Sequence, residues 1–158
     1  MDFELTDEQK AIKKAAREFA EGMFPEVAEE CDLSETFPRG LWKKACDLGF
    51  VGVFIDEAYG GPGLGLLENI LIMEEFCRVD AGCASIALTT LGAEFILLYG
   101  TEEQKRKYLP PLTKGNAIMG MAITEPDAVS DVSDISLVAR SVNYHDMINV
   151  TKMLITNG

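Results

Sequence analysis

The chain has 158 residues, enough for one domain of ordinary size or one domain with part of a second. Apolar residues make up 47% and charged residues 25%, the balance of a chain that buries a core rather than staying disordered. Twenty-six acids against fourteen bases give a formal net charge of −12. That argues against nucleic acid or an anionic membrane as the main partner, since both are bound through basic surface. An anionic small molecule held by a few local donors is not excluded.

The longest uncharged stretch, Ala81 to Ala93, is too short to cross a bilayer. The opening residues are acidic and carry no apolar run, so no signal peptide is visible. The expectation is a cytoplasmic protein or a mature mitochondrial-matrix protein. Cys31, Cys46, Cys77 and Cys83 form no Cys-x-x-Cys pair and read as free thiols used as small apolar side chains. A single histidine, His145, argues against a histidine-built metal site.

In chain order, Thr6 with Gln9 forms a capping box, and Ile12, Ala16, Phe19, Ala20 and Met23 follow on one helical face. Pro25 suits the first turn of a short second helix running towards Cys31. Pro38 opens a third, with Leu41, Trp42, Ala45 and Leu48 inward and Gly49 as its cap. The run Tyr59-Gly60-Gly61-Pro62-Gly63-Leu64-Gly65 lacks the spacing of a phosphate loop and reads as a tight connection. Leu66 to Val79 is predicted as an amphipathic helix with Ile70, Met73, Phe76 and Cys77 inward.

Ala81 to Tyr99 is predicted as one long helix, apolar nearly all round and small-residue-rich in its first half, at the centre of a bundle. Gly100 ends it. Thr101 with Gln104 caps another helix, which Pro110-Pro111 stops. Beyond Gly115, Ala117 to Thr124, Ile135 to Val142 and Met147 to Ile155 are candidate strands, with a polar loop from Glu125 to Asp134. The predicted fold class is α+β: an N-terminal all-α helical bundle (residues 1–115), then an incomplete antiparallel β domain (residues 116–158). Asn157-Gly158 has hairpin-turn composition without a returning strand, which points to a truncated protein or an isolated domain.

Two segments carry the most specific chemistry: Met119-Gly120-Met121-Ala122-Ile123-Thr124-Glu125-Pro126-Asp127-Ala128-Val129-Ser130-Asp131 and Thr151-Lys152-Met153-Leu154-Ile155-Thr156-Asn157-Gly158. With Phe37-Pro38, Tyr59-Gly60-Gly61-Pro62-Gly63 and Gly100-Thr101-Glu102-Glu103-Gln104 upstream, the chain resembles the acyl-CoA dehydrogenase family over essentially its whole length. The first segment is similar to that family's Thr-Glu-Pro-x-Ala-Gly-Ser-Asp signature, and the second to its Gly-x-Lys-x-x-Ile-Thr-Asn-Gly signature.

The resemblance implies a helical domain, a middle β domain and a C-terminal bundle, with this chain supplying the first and part of the second. It implies FAD as cofactor and oxidation of an acyl-CoA thioester to the trans-2-enoyl-CoA. It also implies an electron-transfer flavoprotein as electron acceptor, and homo-oligomers. It places Met121, Ala122, Ile123, Thr124 and Ser130 along the flavin, with Leu154, Ile155 and Thr156 on the other side of the ring. Ser130 would also approach the substrate's CoA arm. Cys83, Ala87 and Leu91, spaced i, i+4, i+8 on the predicted long helix, would line the acyl-chain cavity. The family's catalytic base lies in the C-terminal bundle, so no catalytic residue is assigned here, and this chain alone is expected to lack turnover and to bind FAD weakly or not at all.

The sequence departs from the family at Val129 and Val150, where glycines are usual, and at Leu154, where an aromatic residue is often found. A non-catalytic helical interaction module, a remnant of the family, is the competing reading. Acyl-CoA oxidases and flavin monooxygenases of the same architecture are a third. The flavin reading requires the stretches near Ile123 and near Ile155 to lie side by side.

Overall fold

The computed structural model describes residues 4–143 and 145–158. They form two compact units, divided between Met119 and Gly120. The fold is α+β, with seven α-helices and one two-stranded antiparallel sheet among the described residues.

In the first unit, α1 (Asp7–Met23) starts at the expected capping box: Thr6 Oγ1 accepts from Gln9 N at 3.1 Å and Gln9 Oε1 accepts from Thr6 N at 3.0 Å. Ala16, Phe19 and Ala20 are buried, and Ile12 and Met23 pack partly against the same core. The second helix, α2 (Ala28–Ser34), begins three residues after Pro25 and continues beyond Cys31. The third, α3 (Arg39–Asp47), buries Leu41, Trp42, Ala45 and Cys46. Leu48, expected inward, is the C-cap of this helix and is exposed instead. Gly49 follows at φ 78°, the left-handed geometry that suits a residue without Cβ.

The glycine-rich run is the tight connection the sequence suggests. A Cβ on Gly61 would sit 2.0 Å from the Ile55 carbonyl oxygen, so only glycine fits there. The helix after it, α4 (Leu66–Val79), has the expected bounds but a different inward face: Leu71, Ile72, Glu75 and Phe76 are buried, whereas Ile70 and Cys77 are exposed. The reason is Glu75, an acid that hydropathy assigns to solvent. It is 1% exposed, and its carboxylate accepts two bonds from Arg17, each at 2.8 Å, and one from Arg78 at 3.0 Å. This bidentate ion pair draws α4 against α1 and sets its rotation.

The single long helix expected over residues 81–99 does not form. Its place is taken by α5 (Ala81–Ala84), a 3₁₀ turn (Ser85–Thr89) and α6 (Ala93–Tyr99). The backbone bonds of Thr89 and Thr90 explain the break. The Thr89 carbonyl accepts from Met119 N at 2.8 Å rather than from a helical amide, and Thr90 bridges Met119 in parallel. The Thr89 hydroxyl donates to the Ile86 carbonyl at 2.8 Å and accepts from Trp42 Nε1 at 3.0 Å. Gly92, at φ 99°, then restarts the helix.

The last helix, α7 (Glu102–Thr113), opens with the expected Thr101–Gln104 capping box but runs through Pro110 and Pro111 instead of stopping there. Each proline removes one donor, from the carbonyls of Arg106 and Lys107. Both of those residues are exposed, so water can serve their carbonyls. Burial of Leu109 and Leu112 on the other face favours continuing the helix. Four rings, Phe19, Phe24, Phe50 and Phe76, form the centre of the main core, with centroids 5.1 to 6.0 Å apart. Ile55, Tyr59, Ala93, Leu109 and Leu112 make a second cluster under α6 and α7.

In the second unit, β1 (Ala139–Val142) pairs with β2 (His145–Ile148), Val142 opposite His145. The two-residue connection begins with Asn143 at φ 49°. The candidate strand at 117–124 is extended chain with an isolated bridge at Met119. The candidate Ile135 to Val142 shortens to β1, whereas β2 starts two residues before the candidate Met147 to Ile155 and shares only Met147 and Ile148 with it, since apolar β-branched composition makes a ladder only where a partner edge exists. The terminal turn also differs by one residue. Gly158 N donates to the Ile155 carbonyl at 3.1 Å and Asn157 takes φ 65°, so the central pair is Thr156-Asn157 rather than Asn157-Gly158.

Candidate functional site

The two motif segments meet within the second unit. Met153 N donates to the Thr124 carbonyl at 3.0 Å. Lys152 Nζ donates to the Ile123 carbonyl at 2.7 Å. A Cβ on Gly120 would lie 2.9 Å from the Thr156 carbonyl oxygen, so the two backbones also approach closely there. The backbone approaches 124–153 and 120–156 run in opposite senses, as in an antiparallel pair, although no regular ladder forms, and the Lys152 side chain reaches across to Ile123.

Glu125 anchors the arrangement. It is 3% exposed, and its carboxylate accepts from Ser136 N at 2.9 Å, Ser136 Oγ at 2.7 Å, Leu137 N at 3.2 Å and Lys152 Nζ at 3.0 Å. The serine donors and the Lys152 ammonium pull its pKa down to about 2. It is therefore ionised at neutral pH and unsuited to take a proton. Its backbone closes a tight turn, with Glu125 N to the Ala128 carbonyl at 3.0 Å and Ala128 N to the Glu125 carbonyl at 3.3 Å. Asp131 caps the 3₁₀ turn Val132–Asp134 through Ser133 N at 3.0 Å.

This bonding leaves a row of open donors. The backbone N–H groups of Met121, Ala122, Ile123 and Thr124 make no hydrogen bond among the described residues, and neither do those of Leu154, Ile155 and Thr156. The residues themselves are half-buried or exposed. An irregular run at 121–124 and a bend and turn at 154–156, both with unpaired amides, with threonine hydroxyls at 124 and 156 and apolar side chains beside them, suit a flat ligand with a polar acceptor edge.

A sequence profile of the acyl-CoA dehydrogenase N-terminal domain matches residues 6–116. The chain belongs to the acyl-CoA dehydrogenase family. It is 41% identical over 163 residues to an acryloyl-CoA reductase (NADH) of Anaerotignum propionicum, covering all of this chain and 41% of that protein. It is also 41% identical over 160 residues to a short-chain-specific acyl-CoA dehydrogenase of Clostridium acetobutylicum, covering all of this chain and 42% of that one. Among solved structures it superposes on a glutaryl-CoA dehydrogenase of Mycobacterium smegmatis in complex with FADH2 with a TM-score of 0.88. That pair is 32% identical over 97% of this chain and 40% of the other. The chain thus spans about two fifths of the length of these acyl-CoA dehydrogenase relatives.

Against the acyl-CoA dehydrogenase signatures, the replacements of glycine fall where the backbone tolerates them. Neither Val129 nor Val150 adopts a positive φ, and Val129 is 61% exposed in a bend. The unusual backbone is at Leu154, which holds φ 56° with 83% of its surface exposed. Positive φ in a non-glycine residue is a strain that concentrates at functional positions. Ser130 is exposed beside the Asp131 cap.

The residues expected at the acyl cavity are not on one continuous helix face, because the helix is broken between them. Cys83 lies in α5 and Ala87 in the 3₁₀ turn, both buried in the main core, while Leu91 falls in the break. Cys83 alone of the three lines a cavity of about 530 Å³ with Cys31, Phe37 and Asp80. Burial pushes the Cys83 thiol up to about 12, so it is neutral at physiological pH. Glu125 and Lys152, central to the site, were visible in the sequence only as letters of the two signatures. A buried acid in one segment and a lysine in the other was the available clue.

Proposed function

We propose that this chain is the N-terminal portion of a flavin-dependent acyl-CoA dehydrogenase, with residues 1–115 as its helical domain and 116–158 as the opening of its β domain. The observation that carries this reading is the run of unpaired amides at 121–124, within the signature that implies FAD, beside a second unpaired run at 154–156. FAD, when bound, would supply the electron acceptor for α,β-dehydrogenation of an acyl-CoA thioester. Met121, Ala122, Ile123 and Thr124 would offer backbone donors to its polar edge. Leu154, Ile155 and Thr156 would hold the ring from the second segment, and Ser130 would reach towards the CoA arm. Cys83, Ala87 and Leu91 are proposed for the acyl end, now as separate positions rather than one helical stripe.

The names of the two similar proteins support a short acyl-CoA thioester as substrate class. An electron-transfer flavoprotein is the proposed electron acceptor and a homo-oligomer the proposed assembly. No base is assigned among these residues, and Glu125, held ionised by its donors, does not act as one.

The test is titration of the purified 158-residue chain with FAD, followed by amide NMR. Weak but saturable binding with shifts confined to residues 121–124, 130 and 154–156 is expected. Absence of binding, or shifts located elsewhere, overturns the proposal in favour of a non-catalytic module. Val129→Gly is expected to leave FAD affinity within about twofold, because Val129 needs no positive φ.

A further inference from the structure

We infer that Lys152 is a positioning residue that polarises the Ile123–Thr124 peptide, making Thr124 N–H the strongest of the open donors presented to the flavin edge. The inference rests on the flavin reading above and extends it to one residue outside the ring-facing set. The Lys152 ammonium is shared between two acceptors, the Glu125 carboxylate at 3.0 Å and the Ile123 carbonyl at 2.7 Å. Its side chain is largely buried, so water screens neither bond strongly.

A peptide group whose oxygen accepts a charged hydrogen bond becomes a stronger donor at its own nitrogen. The nitrogen of this peptide is Thr124 N, which has no partner among the described residues. The other three open amides, at Met121, Ala122 and Ile123, follow carbonyls that receive no cation among the described residues. Glu125 fixes the ammonium in place, and its own three further donors from Ser136 and Leu137 keep the carboxylate from moving.

The consequence is electrostatic. Reduction adds electron density to the acceptor edge of a flavin, so a stronger donor there raises its midpoint potential. A lysine placed only to stabilise the fold would leave that potential unchanged.

The experiment compares the wild-type chain with Lys152→Met, Lys152→Arg and the double variant Glu125→Gln/Lys152→Met. The double variant removes both charges, so no carboxylate is left buried without its cation, and it keeps the test alive if Lys152→Met fails to fold. Unchanged amide resonances for Ala139–Val142 and His145–Ile148 certify the fold. In the unliganded chain the Thr124 amide proton is expected to move upfield in Lys152→Met and in the double variant, and to return in Lys152→Arg. With FAD bound, the Kd is expected to rise about tenfold without the cation. The midpoint potential is expected to fall by about 30 mV for each tenfold difference in affinity between the two redox forms. Folded variants with wild-type Thr124 shift, Kd and potential overturn the inference alone. A wild-type chain that takes up no FAD overturns both the inference and the function it rests on.

Discussion

The two units are organised by opposite means. The first is built on apolar burial: four phenylalanine rings packed around Phe19 and Phe76, a second cluster under α6 and α7, and one buried acid between α1 and α4. The second has one buried apolar side chain among its described residues, Ala128, and its inner residue is the ionised Glu125. Both strands of its hairpin are exposed along their length. Hydrophobic burial scales with area and tolerates local rearrangement. A carboxylate with four donors fixes directions and distances instead, which suits a segment proposed to present its amides to a ligand. The first unit is a scaffold, and the second is a backbone surface held by polar bonds.

The largest effect expected from breaking this contrast is in the ring cluster. Phe76→Ala opens a cavity beneath Phe19, Phe24 and Phe50 and should cost about 3–5 kcal/mol in chemical denaturation of the first unit. The bonds at Glu125 lie within the second unit, so their amide protection should outlast that loss.

Next comes Glu75→Gln, which leaves Arg17 and Arg78 facing a neutral amide. It should cost about 2 kcal/mol, read from the denaturation midpoint. The same carboxylate gives a pH dependence. Bonds from Arg17, then from Arg78, outweigh burial and lower its pKa from 4.5 to about 2. Its contribution is therefore complete above pH 4.5, declines as pH falls from there, and is gone below about 2. Glu75→Gln should flatten the acid limb of the stability curve over that window.

Glu125 titrates over the same range by a different cause, the Ser136 donors first. Its protonation should release protection of the Ser136 and Leu137 amides in hydrogen exchange, without moving the Phe76 core. Simultaneous loss of both would refute this prediction. The smallest effect is at a helix start. Thr101→Ala removes the side-chain bond to Gln104 N and should lower stability by about 1 kcal/mol, which the thermal midpoint would register.

Local signals in the sequence were read well where the chain answers to its neighbours. Both Thr–Gln capping boxes, the bounds of α4, the glycine after α3 and the tight glycine-rich connection are decided within a few residues. The signatures also fixed the family, and with it the pairing of two segments about thirty residues apart in sequence. Errors arose where distant atoms supplied the bonds. Residues 81–99 look like a helix because nothing local shows that Met119 will occupy the Thr89 carbonyl. The inward face of α4 is not legible locally, because Glu75 is buried only with Arg17 beside it. The run through Pro110 and Pro111 was missed because burial of Leu109 and Leu112 outweighs two lost donors.

By itself, then, the sequence determined the caps, the glycine turns, the helical character of the first two thirds and the family. All of these depend on short-range sterics, hydrogen bonds within a turn, or letter order. Tertiary structure alone decided the rotation of α4, the break at Thr90–Gly92, the strain at Leu154 and the meeting of Lys152 with both Glu125 and the Ile123 carbonyl. Each depends on a partner far along the chain, and an ion pair or a shared carbonyl has no energy to contribute until folding brings that partner within about 3 Å.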